Sequence, residues 1–188
     1  RIYGESEAVV GDWLRGRSDR DRIVLITKCA HGEDHAVPDD DLPGVLRGEL
    51  AESLEKLATD YIDVYLLHRD NHVMPVGDIL EPMNAVVESG AVRAIGASNW
   101  EYRRVVEAQE YAETHGLVGF SMISNTLTLA LPRASFWPGT VTVDPYGEAW
   151  HRETGVPLLP WSALGRGFYS GQYSQSGRDD PSVSDFER

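Results

Sequence analysis

The chain has 188 residues, 41% of them hydrophobic, with 30 acidic against 17 basic side chains and a formal net charge of −13. Such a field repels a nucleic-acid backbone, and the one basic cluster, Arg15, Arg17, Arg20 and Arg22, is interleaved with Asp12, Asp19 and Asp21 and reads as a solvated helix end and loop. A single cysteine, Cys29, excludes an internal disulfide and a cysteine metal cluster and suits a reducing, cytoplasmic setting; no apolar run is long enough for a membrane span, and no signal-peptide pattern opens the chain.

The chain opens on Arg1-Ile2-Tyr3-Gly4, which has no start methionine and reads as the middle of a fold. A first amphipathic helix is predicted over Glu5–Leu14, with Val9, Val10, Trp13 and Leu14 on one side. The apolar run Ile23–Thr27 follows as a strand. After a long connection, Cys29–Asp41, the spacing of Leu42, Val45, Leu46, Leu50, Leu54 and Leu57 predicts a helix over Leu42–Leu57. Strand Ile62–Leu67, helix Pro75–Glu88, strand Val92–Ala97 and helix Tyr102–His115 continue the rhythm. Strand Gly119–Ile123, a long connection Asn125–Pro145, a short helix near Tyr146–Glu153 and strand Val156–Pro160 complete it. Tyr173–Arg188, rich in Ser, Asp, Gln and Gly, reads as a loop.

The five strands are nearly all apolar rather than alternating, as parallel strands covered on both faces require. No Gly-rich nucleotide fingerprint follows the first strand, which disfavours a doubly wound sheet. The prediction is α/β: a run of β/α units from the middle of a (β/α)8 barrel, with no domain boundary inside. A complete barrel takes about 250 residues, so elements are missing from this length.

Barrel enzymes work at the carboxyl ends of their strands. Here those ends carry Lys28, His68, Ser98-Asn99 and Trp161-Ser162, with Tyr3 in a turn before the first helix. Each has a plain reading: a rim lysine, a histidine bonded to Asp70 or backbone, a packing tyrosine, an asparagine capping the next helix. Together they suggest a proton-transfer site. A phenol is a weak acid at neutral pH, and an adjacent ammonium lowers its pKa. A histidine can hydrogen-bond the same oxygen. Such a group can protonate an oxygen that gains negative charge as a hydride arrives from a cofactor. Trp161 offers a flat surface for a cofactor ring, Ser98 and Asn99 can hold a carboxamide, and Gly165-Arg166-Gly167 can approach a phosphate.

The segments Tyr3-Gly4-Glu5-Ser6-Glu7, Ile26-Thr27-Lys28, Asp60–His68, Ile95-Gly96-Ala97-Ser98-Asn99-Trp100 and Leu159–Gly167 resemble the aldo-keto reductase family in order and spacing over nearly the whole chain. The resemblance implies a (β/α)8 TIM barrel, incomplete here: a single domain over residues 1–188 with strands 3–7 and part of the second βα loop, lacking strands 1, 2 and 8. It implies NADP (as NADPH) as cofactor in preference to NAD, and reduction of a small aldehyde or ketone by hydride transfer. Tyr3 matches the family's general acid, Lys28 the lysine that lowers its pKa, and His68 the histidine that orients the carbonyl. Ser98 and Asn99 match the carboxamide grip, Trp161 the aromatic residue under the nicotinamide, and Ser162, Leu164 and Gly165 positions along the pyrophosphate.

Three departures follow from the resemblance. The family's aspartate would precede Arg1. The usual glutamine of the carboxamide site is the shorter Ser124, and an expected tyrosine is Leu127. The C-terminal region that reads the adenine ribose is absent. These departures suggest a divergent bacterial branch. An alternative function is a nicotinamide-nucleotide-binding regulatory protein with little turnover; a hydrolase or isomerase would want a carboxylate pair or metal at the strand ends, and neither is visible there. The run His31–His35 with Asp39–Asp41 lacks a recognised metal spacing and reads as a solvated acidic loop, so no metal is expected. Trp100 and Trp137 are candidate walls of a substrate pocket, and Cys29 reads as a neutral buried thiol. The sequence leaves the oligomeric state open.

Overall fold

The structure, a computed structural model, describes residues 5–32, 36–38, 40–165 and 169. Helix α1 (Ser6–Arg15) leads through a short 3-10 turn at Arg20–Arg22 into strand β1 (Ile26–Cys29). Then come α2 (Leu42–Leu57), β2 (Ile62–Leu67), α3 (Val76–Glu88), β3 (Val92–Ser98), α4 (Tyr102–His115), β4 (Ile123–Ser124) and α5 (Pro145–Thr154). The strands form one parallel sheet in the order β1-β2-β3-β4. Consecutive parallel strands joined by helices are the architecture of a partial (β/α)8 barrel. Among the described residues no helix is long and apolar enough to cross a membrane.

The strands have two distinct faces. Tyr65, Leu67, Ile95, Ala97 and Ile123 point to the helices and join Leu46, Leu50, Ile79, Leu80, Met83, Val105 and Ala108 in one buried cluster. Residues of the opposite parity, among them Lys28, Leu66, Gly96, Ser98 and Ser124, therefore face the barrel interior. Gly96 stands inward at the level of Lys28, where a Cβ would come within 2.5 Å of Leu66 and 2.6 Å of the Met122 carbonyl.

Helices α2 and α4 have the predicted limits, and α2 is capped by the Asp41 carboxylate accepting from the Gly44 N–H at 3.0 Å. Helix α1 departs from prediction in its packing face. Val9 is 65% and Trp13 52% exposed, while Gly11 and Leu14 are buried. The cause is the close approach of α2: a Cβ on Gly11 would sit 1.9 Å from the Lys56 carbonyl. Trp13 lies instead under the Arg17 guanidinium, 4.3 Å from its ring centre.

The strand limits also shift. β1 starts three residues late because the Leu25 N–H donates to the Asp63 carboxylate at 2.9 Å rather than to a ladder partner. It also runs on through Lys28, which lies inside the strand. The run Gly119–Met122 is not regular strand: the Gln109 side chain accepts from the Phe120 N–H at 2.7 Å and donates to its carbonyl at 3.1 Å. The predicted fifth strand is reduced to a parallel bridge between Ile123 and Leu158, because Pro157 and Pro160 have no N–H to donate. Its direction still places Trp161 beside Thr126.

At the amino ends of the strands, Asp63 ties three elements together. Its carboxylate accepts from Arg20 at 2.9 Å, Arg93 at 2.8 Å and the Leu25 N–H. Both guanidinia also lie over the Tyr61 ring, 4.0 and 3.9 Å from its centre. Burial alone would raise the Asp63 carboxyl, but the Leu25 N–H and the two arginines outweigh it and hold it below its usual value. A carboxyl with a depressed folded pKa contributes its full stabilisation above the unfolded value and loses it as pH falls through the folded one. Asp63→Ala is expected to cost about 3 kcal/mol in urea unfolding at neutral pH, since it strands two cations. The gap to the parent protein should narrow below about pH 4. A loss under about 1 kcal/mol at neutral pH would mean that the cluster is an ordinary surface ion pair.

Candidate active site

Register brings the polar residues together. Leu67 pairs with Ala97 and Ser98 with Ser124, so the residue after Leu67, His68, stands level with both serines. Lys28 pairs with Leu66, two residues lower on the same inward face. Its long stem spans those two residues, about 7 Å of strand, and its Nζ donates to Ser98 Oγ at 2.9 Å and Ser124 Oγ at 3.4 Å. The His68 N–H donates to the Cys29 carbonyl at 2.8 Å, which extends the β1–β2 pairing to the site. His68 makes no bond to Asp70, whose carboxylate is taken by Arg104 at 3.3 Å, with His72 at 3.4 Å.

These groups carry unusual protonation. Burial, and then the nearby positive charge of Arg69, pulls the Lys28 ammonium down to about 8. Burial also pulls the His68 imidazole down to about 3, with Lys28, Arg69 and His31 adding to the effect. His68 is therefore a neutral hydrogen-bonding group at physiological pH, and Lys28 is a cation that gives up its proton within reach of that pH.

Two residues that sequence reasoning did not assign belong to this site. The His31 ring meets the His68 ring edge-on at 4.6 Å. It is presented by a turn at Ala30, which has a positive φ of 54° and whose N–H donates to Glu49 at 2.7 Å. Arg69 folds back so that Nη1 donates to the His68 carbonyl at 2.9 Å. Neither has a sequence signal beyond standing next to a strand end.

Hydrogen-bond capacity decides which residues can take a carboxamide. The Ser98 hydroxyl accepts from Lys28 and from Asn99 Nδ2 at 3.1 Å and donates to the Ser124 carbonyl at 2.7 Å. One proton and two lone pairs are then used, so this hydroxyl is saturated. The two Asn99 amide protons go to Ser98 and to the His68 carbonyl, at 3.1 Å each. Among the described residues its Oδ1 accepts only from the Val141 N–H at 3.3 Å and keeps one lone pair. Asn99 is not the cap of α4; that position belongs to Glu101, while Asn99 turns the chain with a φ of 60°. Ser124 Oγ accepts from Lys28 and retains a proton to donate. Asn99 Oδ1 and the Ser124 hydroxyl therefore keep the acceptor and the donor that the N–H and C=O of a carboxamide would need.

Trp161 stands next to Thr126, two residues past Ser124, with its indole nitrogen buried and unpartnered among the described residues. Its ring meets Phe136 at 6.3 Å and Trp137 at 5.9 Å, so the long β4–α5 connection brings an aromatic wall to the nicotinamide candidate. Ser162 and Gly165 both have positive φ, 54° and 56°, and the Gly165 N–H closes the turn on the Ser162 carbonyl at 2.9 Å. Leu164 is exposed at its tip. Trp100 is fully buried, donates to the Arg69 carbonyl at 3.0 Å and packs on Phe120, so its ring belongs to the core. Cys29 is buried, and burial raises its thiol. A separate cavity of about 650 Å³ between α4, α5 and residues 132–144 is lined by neither Lys28 nor His68. Tyr3, Glu33–His35, Asp39 and Arg166-Gly167 lie outside the described residues.

Comparison with known proteins agrees with this architecture. Norsolorinic acid reductase of Aspergillus flavus is 32% identical over 184 residues, covering 93% of this chain and 45% of that protein. The uncharacterized oxidoreductase YrpG of Bacillus subtilis is 30% identical over 181 residues, covering 92% of this chain and 52% of that protein. Relatives come from fungi as well as a bacterium, so the match is to the family and singles out no bacterial branch. The chain spans about half the length of the relatives it matches. A crystal structure of an aldo-keto reductase from Klebsiella pneumoniae in complex with NADPH superposes with a TM-score of 0.61 at 22% identity, covering 94% of this chain and 51% of that one, a likeness of fold. The profile of the Aldo/keto reductase family matches residues 1–186, and the chain belongs to that family.

Proposed function

We propose that this chain is the central part of a single barrel domain in an NADPH-dependent oxidoreductase that reduces an aldehyde or ketone to an alcohol. The observation that carries this reading is the Lys28 ammonium held on Ser98 and Ser124 with the neutral His68 imidazole at the same strand ends. Reduced nicotinamide, when bound, supplies the hydride to the carbonyl carbon. The chain's own residues manage the oxygen. His68 donates a hydrogen bond to it, and the Tyr3 hydroxyl gives it a proton. Lys28 stabilises the phenolate that remains. Asn99 and Ser124 hold the carboxamide, Trp161 underlies the ring, and Ser162, Leu164 and Gly165 follow the pyrophosphate. Ser98 acts one step back, fixing Lys28 and Asn99.

NADPH in preference to NADH is supported by the ligand of the Klebsiella pneumoniae structure. A small carbonyl compound as substrate is supported by the reductases among the relatives.

In the complete protein, Tyr3→Phe and Lys28→Met are each expected to lower kcat about 100-fold or more, the usual range for a lost general acid or its activator. Nucleotide binding, followed by quenching of tryptophan fluorescence, should survive both changes. Retention of parent turnover by Tyr3→Phe would remove the mechanism.

The pH dependence follows from Lys28. Its folded pKa is lowered, so the cation exists below about 8 and is lost as pH rises through that value. Reduction is expected to decline on that alkaline limb, and a profile flat through it would separate Lys28 from the chemistry. His68, held neutral down to about 3, should show a C2 proton resonance that does not move between about pH 5 and pH 8, the range in which an ordinary histidine titrates.

A further inference from the structure

A sharp turn in the β4–α5 connection aims two consecutive aromatic rings at Trp161. Trp137-Pro138-Gly139-Thr140 has proline second and glycine third, the residues of a type II turn. Gly139 accordingly has a φ of 68°, and the Thr140 N–H donates to the Trp137 carbonyl at 3.1 Å. The Thr140 hydroxyl closes the turn a second time, accepting from the Trp137 N–H at 3.2 Å and donating to its carbonyl at 2.7 Å. Neighbouring side chains of an extended chain point to opposite sides, whereas the bend here brings Phe136 and Trp137 onto one ring. Phe136 lies 6.3 Å and Trp137 5.9 Å from the centre of the Trp161 ring, and the two are 6.3 Å from each other. All three separations fall in the contact range of aromatic pairs, about 4.5–7 Å.

The sheet fixes the backbone of Trp161 but not its ring. The Trp161 N–H donates to the Asn125 carbonyl at 3.2 Å, and the residue bridges Thr126. Those bonds set its position, while both side-chain torsions stay open to more than one well. The contacts of Phe136 and Trp137, at 56° and 36° to the indole plane, select among those wells. Beyond the turn, the same connection is anchored on the sheet. The Val141 carbonyl accepts from the Thr126 N–H at 3.0 Å, and the Val143 N–H donates to the Thr126 carbonyl at 2.8 Å. The Val141 N–H also reaches Asn99 Oδ1 at 3.3 Å. Thr126 thus lies between the returning connection and Trp161, so ring contacts and backbone bonds close one unit. Trp137 stays 45% exposed and stands apart from the helix-facing cluster, so its ring contributes little to the core.

We propose that Phe136 and Trp137 are positioning residues for the cofactor: they hold the Trp161 ring at the tilt on which a nicotinamide stacks, and so set how tightly the nicotinamide half of the nucleotide is retained. This rests on the reductase reading above, which puts the nicotinamide on Trp161, and adds the residues that hold that platform. Trp137 then supports the cofactor ring from behind, a different task from walling a substrate pocket. Because the brace acts through one ring, its effect is confined to the part of the nucleotide that meets that ring.

The test uses the complete protein. Binding of NADPH is followed by the emission of the reduced nicotinamide, a signal that does not depend on Trp137. The double variant Phe136→Ala, Trp137→Ala is expected to bind NADPH about tenfold more weakly, the order of the aromatic contacts removed, and Trp137→Phe should keep most of the affinity. Calorimetric affinity for 2′-phospho-ADP-ribose, the nucleotide without its nicotinamide, should stay within about twofold in the double variant, as for a distant and independent contact. In the nucleotide-free protein labelled with fluorotryptophan, the Trp161 fluorine line, assigned with Trp161→Phe, should narrow in the double variant as the ring gains motion. Equal weakening of both ligands, an unchanged NADPH affinity or an unchanged Trp161 line each overturns the proposal. A parent protein that binds no NADPH would instead sink the reductase reading, and the fluorine line would still decide whether Phe136 and Trp137 hold the Trp161 ring.

Discussion

The site depends on an ammonium taken out of water and held by two hydroxyls. Lowering Lys28 from 10.5 to about 8 corresponds to a folding penalty on the order of 3 kcal/mol while the group is charged. The penalty applies below about pH 8 and fades as pH rises toward the unfolded value. Only the sheet register makes the arrangement possible. Ser98 and Ser124 are paired residues on neighbouring strands, and Lys28 sits two residues lower on the same face. A slip of one residue in β1 would turn Lys28 toward the helices and bring Thr27 inward. Proton chemistry here is thus a consequence of strand pairing, not of any local motif.

The sequence was legible wherever structure was set by local pattern. The leucine period gave α2, and the apolar runs located β2 and β3 with nearly correct ends. The strand-end rule picked out Lys28 and His68, and the register then brought them together. The failures share a cause: a partner distant in sequence. Nothing near Leu25 reveals that its N–H will bond Asp63, 38 residues away. Nothing near Phe120 announces the Gln109 side chain. The face of α1 was misread because the apolar period favoured Val9 and Trp13, whereas a glycine that admits the Lys56 carbonyl decided the contact. His68 near Asp70 suggests a local bond, yet Arg104 takes that acid from 34 residues away. Asn99 looked like a helix cap by residue type; its role as a clip between Ser98, His68 and Val141 needs three loops that only the fold assembles.

Conformational strain gathers at the same rim. Ala30, Asn99 and Ser162, each just past a strand end or bridge, have φ near +60° without being glycine. Each such residue costs about 1–2 kcal/mol relative to ordinary backbone. The turns they make redirect the chain sharply, and each is held by a specific bond: Ala30 N–H to Glu49, Asn99 to the His68 carbonyl, Ser162 C=O to the Gly165 N–H. Those bonds limit the freedom of the side chains next to them. His31 is directed onto His68, and Asn99 is left with a single open lone pair. A site whose groups are already fixed loses less entropy on binding and reorganises less during reaction.

The two ends of the sheet are therefore opposite in electrostatic design. At the amino end of β2, Asp63 collects Arg20, Arg93 and a backbone N–H, and every charge has a partner. At the carboxyl end of the same strand, His68 and Arg69 follow with Lys28 alongside, and no described acid neutralises the two cations. Four residues of strand separate Asp63 from His68, so one continuous segment carries a matched ion cluster at one end and the neutral imidazole of the site at the other. Barrel strands allow this because their two ends are independent surfaces joined by a rigid ladder. The stability gained where charges are matched, together with the packed helix-facing side of Tyr65 and Leu67, offsets the desolvation and strain concentrated at the mouth.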